Sequence, residues 1–245
     1  MTQLKLTDFK VLTFDVYGTL IDWETGVLSA LAPSLPTDHT FSRRHLLEVY
    51  HKHEAAQQAL TPSMPYNELL ATIHPLILSD LSVPSPADSS AATTFGNSIG
   101  TWPAFSDTVA ALHTLSKHYK LVILSNVDRN SFSKTNAGPL SGIPFDLILT
   151  AQDIGSYKPS PANFTYMLSQ VADKFSVSRE GVLQTAQSQF HDHYPARDAG
   201  IRSCWIERPG AVMGNLEEGV DVVADWRFGT LGEMAEAVER EVAER

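Results

Sequence analysis

"FKVLTFDVYGTLID", residues 9–22, is the stretch whose reading decides the fold. Val11 to Phe14 is short, apolar and partly β-branched. It reads as a fully buried strand of the kind found in parallel sheets. The run ends in a carboxylate, Asp15, and Gly18-Thr19 follow at once. A buried strand with an acid at its tip points to a crevice at the carboxyl edge of a sheet. The residue two places beyond that acid is Tyr17, which bears on the chemistry below.

Outward from this strand the pattern changes twice. From Trp23 to about Gly100 no comparable strand occurs. "RRHLLEVYHKHEAAQQAL" reads as a helix with Leu46, Leu47, Tyr50 and Leu60 on its apolar face. "MPYNELLATIHPLIL" reads as a second helix, disturbed at Pro75. The Ser- and Pro-rich stretch before Trp102 reads as loop with room for a short helix. After Trp102 strands and helices alternate. "SDTVAALHTLSKHY" is a predicted helix with Ser106 as its cap. "KLVILSN", "FDLILTAQD", "GVLQTAQS", "IRSCWI" and "DVVAD" are predicted strands. "SPANFTYMLSQVADKF" and "TLGEMAEAVEREVAER" are predicted helices, and "QFHDHYPARDAG" runs through a loop into another. The expected fold is α/β, a doubly wound Rossmann-like parallel sheet core with an inserted helical cap domain. The expected boundaries are residues 1–22 and 100–245 for the core and 23–99 for the cap, which is too long for a crossover loop.

The 245 residues are 43% hydrophobic, which excludes a disordered chain, and carry a formal net charge of −10. That field opposes nucleic acid, and no basic cluster offsets it. The single cysteine, Cys204, rules out an intrachain disulfide and sits in an apolar run, so it reads as a core thiol. No signal-peptide core or membrane-length apolar run is present, so a cytoplasmic location without membrane partners is expected.

The predicted strand ends gather the polar residues. Asp15 ends the first strand, Ser125-Asn126 the second, Lys158 follows the third and Asp192 the fourth. A carboxylate can attack an electrophilic carbon or phosphorus and form an ester. Asp15 is placed for that role. Thr19 is placed to orient it, and Lys158 to keep it ionised. Ser125 and Asn126 suit the oxygens of an anion. Asp192 would pair with Lys158, position a water or bind a metal, with Mg²⁺ as the alternative to a metal-free site.

These segments resemble the four motifs of the haloacid dehalogenase superfamily. "FDVYGTLID" is similar to the first, "LSNVD" to the second, "KPSP" to the third and "HDHYPARDAG" to the fourth. Phosphatases of that superfamily carry a second aspartate where this chain has Tyr17. It protonates the leaving alkoxide. A phenol of ordinary pKa about 10 replaces it poorly, whereas a leaving halide needs no proton. "DVYGTL" resembles the type II (S)-2-haloacid dehalogenases, and the fourth motif a fungal dehalogenase-like branch. The resemblance implies Asp15 as nucleophile, with Lys158, Asp192 and Thr19 completing the catalytic set and no metal. Asp192 stands eight residues before Gly200, the family's distance. It implies a substrate site of Tyr17, Ser125 for carboxylate, Asn126 for halide, and an arginine of the first cap helix. Arg43 is the better match there and Arg44 the other candidate. Phe164 stands where a tyrosine is expected. Gln187 and Gln189 replace a serine and an asparagine, and His191 replaces a tryptophan, so Gln189 and His191 are candidate pocket residues. His191 and His193 read either as helix-start residues with ordinary hydrogen bonds or as proton-handling pocket residues. Trp23, Trp102 and Tyr157 read as crevice or as packing.

The reading is therefore dehalogenation of a small anionic 2-haloalkanoic acid without cofactor, with a homodimer expected from relatives. The alternatives are a Mg²⁺-dependent hydrolase of a phosphate or phosphonate ester, and a non-catalytic metabolite-binding protein on the same scaffold.

Overall fold

The computed structural model describes residues 4–62, 64–84, 89–213 and 222–244. In chain order its strands are β1 (Val11–Phe14), β2 (Lys120–Ser125), β3 (Leu147–Thr150), β4 (Val182–Ala186), β5 (Arg202–Ile206) and β6 (Trp226–Phe228). Its helices are α1 (Trp23–Leu31), α2 (Arg43–Leu60), α3 (Tyr66–Asp80), α4 (Ser90–Asn97), α5 (Thr108–Leu115), α6 (Arg129–Ala137), α7 (Ala151–Ile154), α8 (Pro161–Phe175), α9 (Tyr194–Asp198) and α10 (Leu231–Ala243).

β1 is buried along its whole length, as its unbroken apolar sequence requires. It lies at the middle of a six-stranded sheet of order β3-β2-β1-β4-β5-β6. Each neighbouring pair is parallel. The order reverses direction at β1, between β2 and β4, and that is where an open α/β sheet binds its ligand. On one face Val11, Val122, Leu124 and Val182 pack with Phe164, Met167 and Val171 of α8. The opposite side is closed by α5 and α10, which pack together. There the buried Cys204 thiol lies 3.7 Å from the Met234 sulfur.

The chain divides into two compact units. The sheet unit is Met1–Ile21, Ala104–Asn126 and Gly142–Arg245. The helical unit is Asp22–Pro103 and Val127–Ser141. It takes in α6, a helix not foreseen in the sequence, whose residues had been expected in the core. Gly100 explains this local grouping. A Cβ there would stand 2.4 Å from Cβ of Lys134 on α6, so only glycine lets the two segments approach. Thr135 also donates to the Ile99 carbonyl. Trp102 belongs to the same packing. It is buried, lies against Gly26 of α1 and donates its indole N–H to Ser98 Oγ at 3.0 Å. Trp23, partly buried, packs its ring on Tyr50.

Several local expectations change. Leu46, Leu47 and Tyr50 are buried, but Leu60 is 76% exposed. At 1.5 Å per residue it stands about 15 Å beyond Tyr50, past the packed part of α2. α3 runs unbroken through Pro75. "AQD" is helical instead of strand, because Thr150 and Asp153 form a reciprocal capping box at the end of β3. Asp107, not Ser106, precedes α5. The expected last strand at residues 221–225 begins outside the described residues, and 222–225 are not strand. β6 starts instead at Trp226, whose ring meets Phe9 edge-on.

Candidate active site

The site grows from the turn after β1 and lies wholly within the sheet unit. The Val16 carbonyl accepts from the N–H groups of Thr19, Leu20 and Ile21. Gly18 makes this turn with φ of 100°, a conformation that favours glycine. The turn brings Thr19 back beneath Asp15, and its hydroxyl donates to Asp15 Oδ2 at 2.7 Å. The same hydroxyl accepts from the Gln187 N–H at 2.9 Å, which joins the turn to the end of β4.

Lys158 closes the arrangement. Its ammonium donates to Asp15 Oδ1 at 2.9 Å and to Asp192 Oδ1 at 2.7 Å. Asp15 is 9% exposed, while Lys158 and Asp192 are buried. A buried cation between two buried carboxylates holds because each charge has its partner at hydrogen-bonding distance. Burial works against the Lys158 charge, but Asp15 and Asp192 outweigh it and raise its pKa above the ordinary value. Burial pushes the Asp192 carboxyl up to about 7, against the pull of Lys158. Asp192 is therefore poised between its two forms near neutral pH. It sits in a single π-helical turn, Gln189–His193. Such turns often mark sites.

The sequence-derived candidates separate on inspection. Asp15, Thr19, Lys158 and Asp192 are brought together. Ser125 ends β2, and its buried hydroxyl has no hydrogen-bond partner among the described residues. Asn126 clamps Lys158 instead. It accepts from the Lys158 N–H at 2.7 Å and donates to the Lys158 carbonyl at 2.9 Å, which leaves one N–H of its amide. Phe164 has no exposed surface and packs in the core beside Met167. Gln189 is buried, with Oε1 accepting from the Val223 N–H and Nε2 without a partner among the described residues. His191, partly buried, binds the Ser188 hydroxyl through its backbone N–H and lies 3.1 Å from it through Nδ1. His193 is a buried tie, with Nε2 donating to the Ala186 carbonyl and Nδ1 facing Ser203 Oγ. Burial lowers its pKa to about 4, so it is neutral. Tyr17 and Tyr157 are partly buried. Arg43 and Arg44 belong to the helical unit, where Arg43 pairs with the buried Glu24 at 2.9 Å and Arg44 with Glu48 at 3.7 Å.

Two residues that sequence reading missed hold the site from beneath. Gln184, inside β4, donates to Asp192 Oδ1 at 2.9 Å and accepts from the Thr13 hydroxyl. Arg208 is buried and donates to the Thr19 carbonyl at 2.8 Å, with Asp107 at 2.6 Å as counter-charge. A glutamine in the middle of a buried strand was a legible signal. The reach of Arg208 to Thr19 was not.

Most of the carboxylate oxygens here already have protein partners. Magnesium demands near-octahedral oxygen coordination. Here both Oδ1 atoms already face the Lys158 ammonium, Asp15 Oδ2 takes the Thr19 hydroxyl, and the remaining Asp192 oxygen is buried. No group of three or more His, Cys, Asp or Glu side chains converges among the described residues.

With this geometry in view, solved structures place the fold. The fold is shared with solved L-2-haloacid dehalogenases, a Rossmann-like parallel sheet with a helical unit. An L-2-haloacid dehalogenase matches at 20% identity and TM-score 0.76, over 97% of this chain and 100% of the other. The L-2-haloacid dehalogenase of Xanthobacter autotrophicus, solved with chloropropionic acid covalently bound, matches at 18% identity and TM-score 0.74, over 94% and 98%. A Bacillus subtilis protein named as a HAD-hydrolase and bound to magnesium matches at 17% identity and TM-score 0.71, over 94% and 99%. No family model and no curated protein sequence matches the chain.

Proposed function

We propose that the protein is a hydrolase that replaces the halide of a small 2-haloalkanoic acid by hydroxyl, through an ester on Asp15. The observation that carries this reading is the setting of Asp15. It stands at the switch point of the sheet, paired with the Lys158 ammonium, held by the Thr19 hydroxyl, with Tyr17 in place of a second acid. The covalently bound chloropropionic acid of the Xanthobacter enzyme supports the same chemistry in a protein of this fold.

In the first step an Asp15 carboxylate oxygen attacks Cα. A C–O bond forms, the carbon–halogen bond breaks, and halide leaves with the bonding electrons. No proton is needed, so the missing acid at Tyr17 costs nothing. Ser125 is assigned the substrate carboxylate, since its buried hydroxyl has no partner among the described residues. In the second step Asp192 takes a proton from water as hydroxide attacks the ester carbonyl. The hydroxy acid departs with a proton, and Asp15 returns to its ionised form with net release of one proton. Lys158 stays charged throughout and neutralises the carboxylates.

The test is halide release from chloroacetate and (S)-2-chloropropionate, with and without chelator, by the wild type and Asp15→Asn. Release that ignores chelator and vanishes in D15N is expected, with ¹⁸O from labelled water entering Asp15 in a single turnover. Absence of release at high enzyme concentration overturns the reading. Turnover of phosphate esters that needs Mg²⁺ and Asp15 would replace it with the phosphatase alternative.

A further inference from the structure

We propose that Gln184 is a positioning residue that occupies one oxygen of Asp192, so that the carboxylate works through Oδ2 alone. The inference rests on the hydrolytic role of Asp192 proposed above and adds a residue of this chain's own to it.

Gln184 lies directly across the β1–β4 ladder from Thr13. The Thr13 hydroxyl donates to Gln184 Oε1. That fixes the amide with Nε2 toward Asp192, where it donates to Oδ1 at 2.9 Å. The reverse orientation would set two acceptors, Oε1 and Oδ1, against each other. Oδ1 also accepts from the Lys158 ammonium at 2.7 Å. Two donors thus converge on one oxygen, while Oδ2 is buried without a partner among the described residues. A buried acceptor left unmet is costly and marks a site that something else completes. Any proton that Asp192 takes from water must land on Oδ2, because Oδ1 is occupied from two sides. The attacking water is therefore held on the Oδ2 side.

An amide suits this task. It donates to the ionised acid and carries no charge to repel it. An apolar residue at this place would leave Oδ1 to Lys158 alone and free the carboxylate to turn. The charged groups that face Asp192 are Lys158 and Asp15. His193, next in the chain, is neutral.

The experiment is ¹³C NMR titration of aspartate carboxyls between about pH 4 and 9. The Asp192 signal is assigned by its loss in Asp192→Asn. Wild type is compared with Gln184→Leu and with Thr13→Val, which frees the amide without touching Asp192. Loss of a donor to the ionised form is expected to raise the Asp192 midpoint by about one pH unit in Q184L and by less in T13V. With a haloacid substrate, ester hydrolysis should shift along the pH axis by the same amount while the halide burst keeps its rate. A midpoint unmoved in either folded variant overturns the proposal, since a packing role alone would lower thermal stability and leave the titration in place. Should Q184L fail to fold, T13V decides. Should no haloacid be turned over, the dehalogenase reading fails while the titration still judges Gln184.

Discussion

Asp192 and Lys158 form the most demanding pair of residues in the chain. Both are buried, and the Lys158 charge is shared between Asp192 and Asp15. The pKa of Asp192, raised to about 7, makes the stability of the protein depend on pH. In the unfolded chain the carboxyl titrates near its ordinary value of about 4. The folded state therefore holds the proton more tightly. Its contribution to stability is full below about pH 4 and is lost as the pH rises through 7. The displacement corresponds to something on the order of a few kcal/mol. Asp192→Asn removes that dependence. Denaturant unfolding of both proteins should show the stability of D192N gaining on wild type by up to that amount between pH 4 and 7, then holding level. A difference that does not change with pH would mean the acid is ionised throughout. At this scale the sequence was informative about residue types. Asp15, Thr19, Lys158 and Asp192 were legible from their places at strand ends and from the motifs. Their partners were not. Lys158 is 143 residues from Asp15, and Arg208 is 189 from Thr19. No periodicity spans such distances.

Elements carry a different kind of information. α8 was legible from its apolar spacing, and its buried face presses Phe164, Met167 and Val171 on the sheet. Phe164 therefore serves the element, although its position relative to Lys158 suggested the pocket. Phe164→Ala should cost about 3–5 kcal/mol in unfolding free energy through the cavity it leaves. Phe164→Leu should cost much less. A loss of activity in F164A without a loss of stability would return the residue to the site. Short elements were read less well. Beyond β3, the alternation of "FDLILTAQD" ran on in sequence, but the Thr150–Asp153 box turned the chain into helix. Local hydrogen bonds between side chain and backbone beat strand propensity there. α6 escaped notice because "RNSFSKTNA" has little apolar face. Its start is fixed by Asp128, which accepts from the Ser131 N–H at 2.9 Å and from the Tyr66 N–H at 3.0 Å.

Over the whole molecule, the sheet is the rigid reference. β1 is flanked by a parallel partner on each side and buried throughout, so its amides open only with the sheet. Hydrogen exchange should find β1, β2 and β4 most protected and the exposed end of α2, residues 54–60, among the least. Slow exchange in that end of α2 would show that its surface is covered in solution. The sequence by itself determined the class of fold, an α/β sheet with an inserted helical block. Buried parallel strands and amphipathic helices write their periods into a few consecutive residues. It also determined which side chains have the chemistry for a site. Only the tertiary structure decided how those side chains are used. It put Asn126 on the Lys158 backbone, Phe164 in the core and Gln184 under Asp192. It left a single oxygen of Asp192 unmet among the described residues. The reason is physical: a hydrogen bond depends on tenths of an ångström between strands that meet only after folding, while a propensity depends on neighbours already joined by the chain.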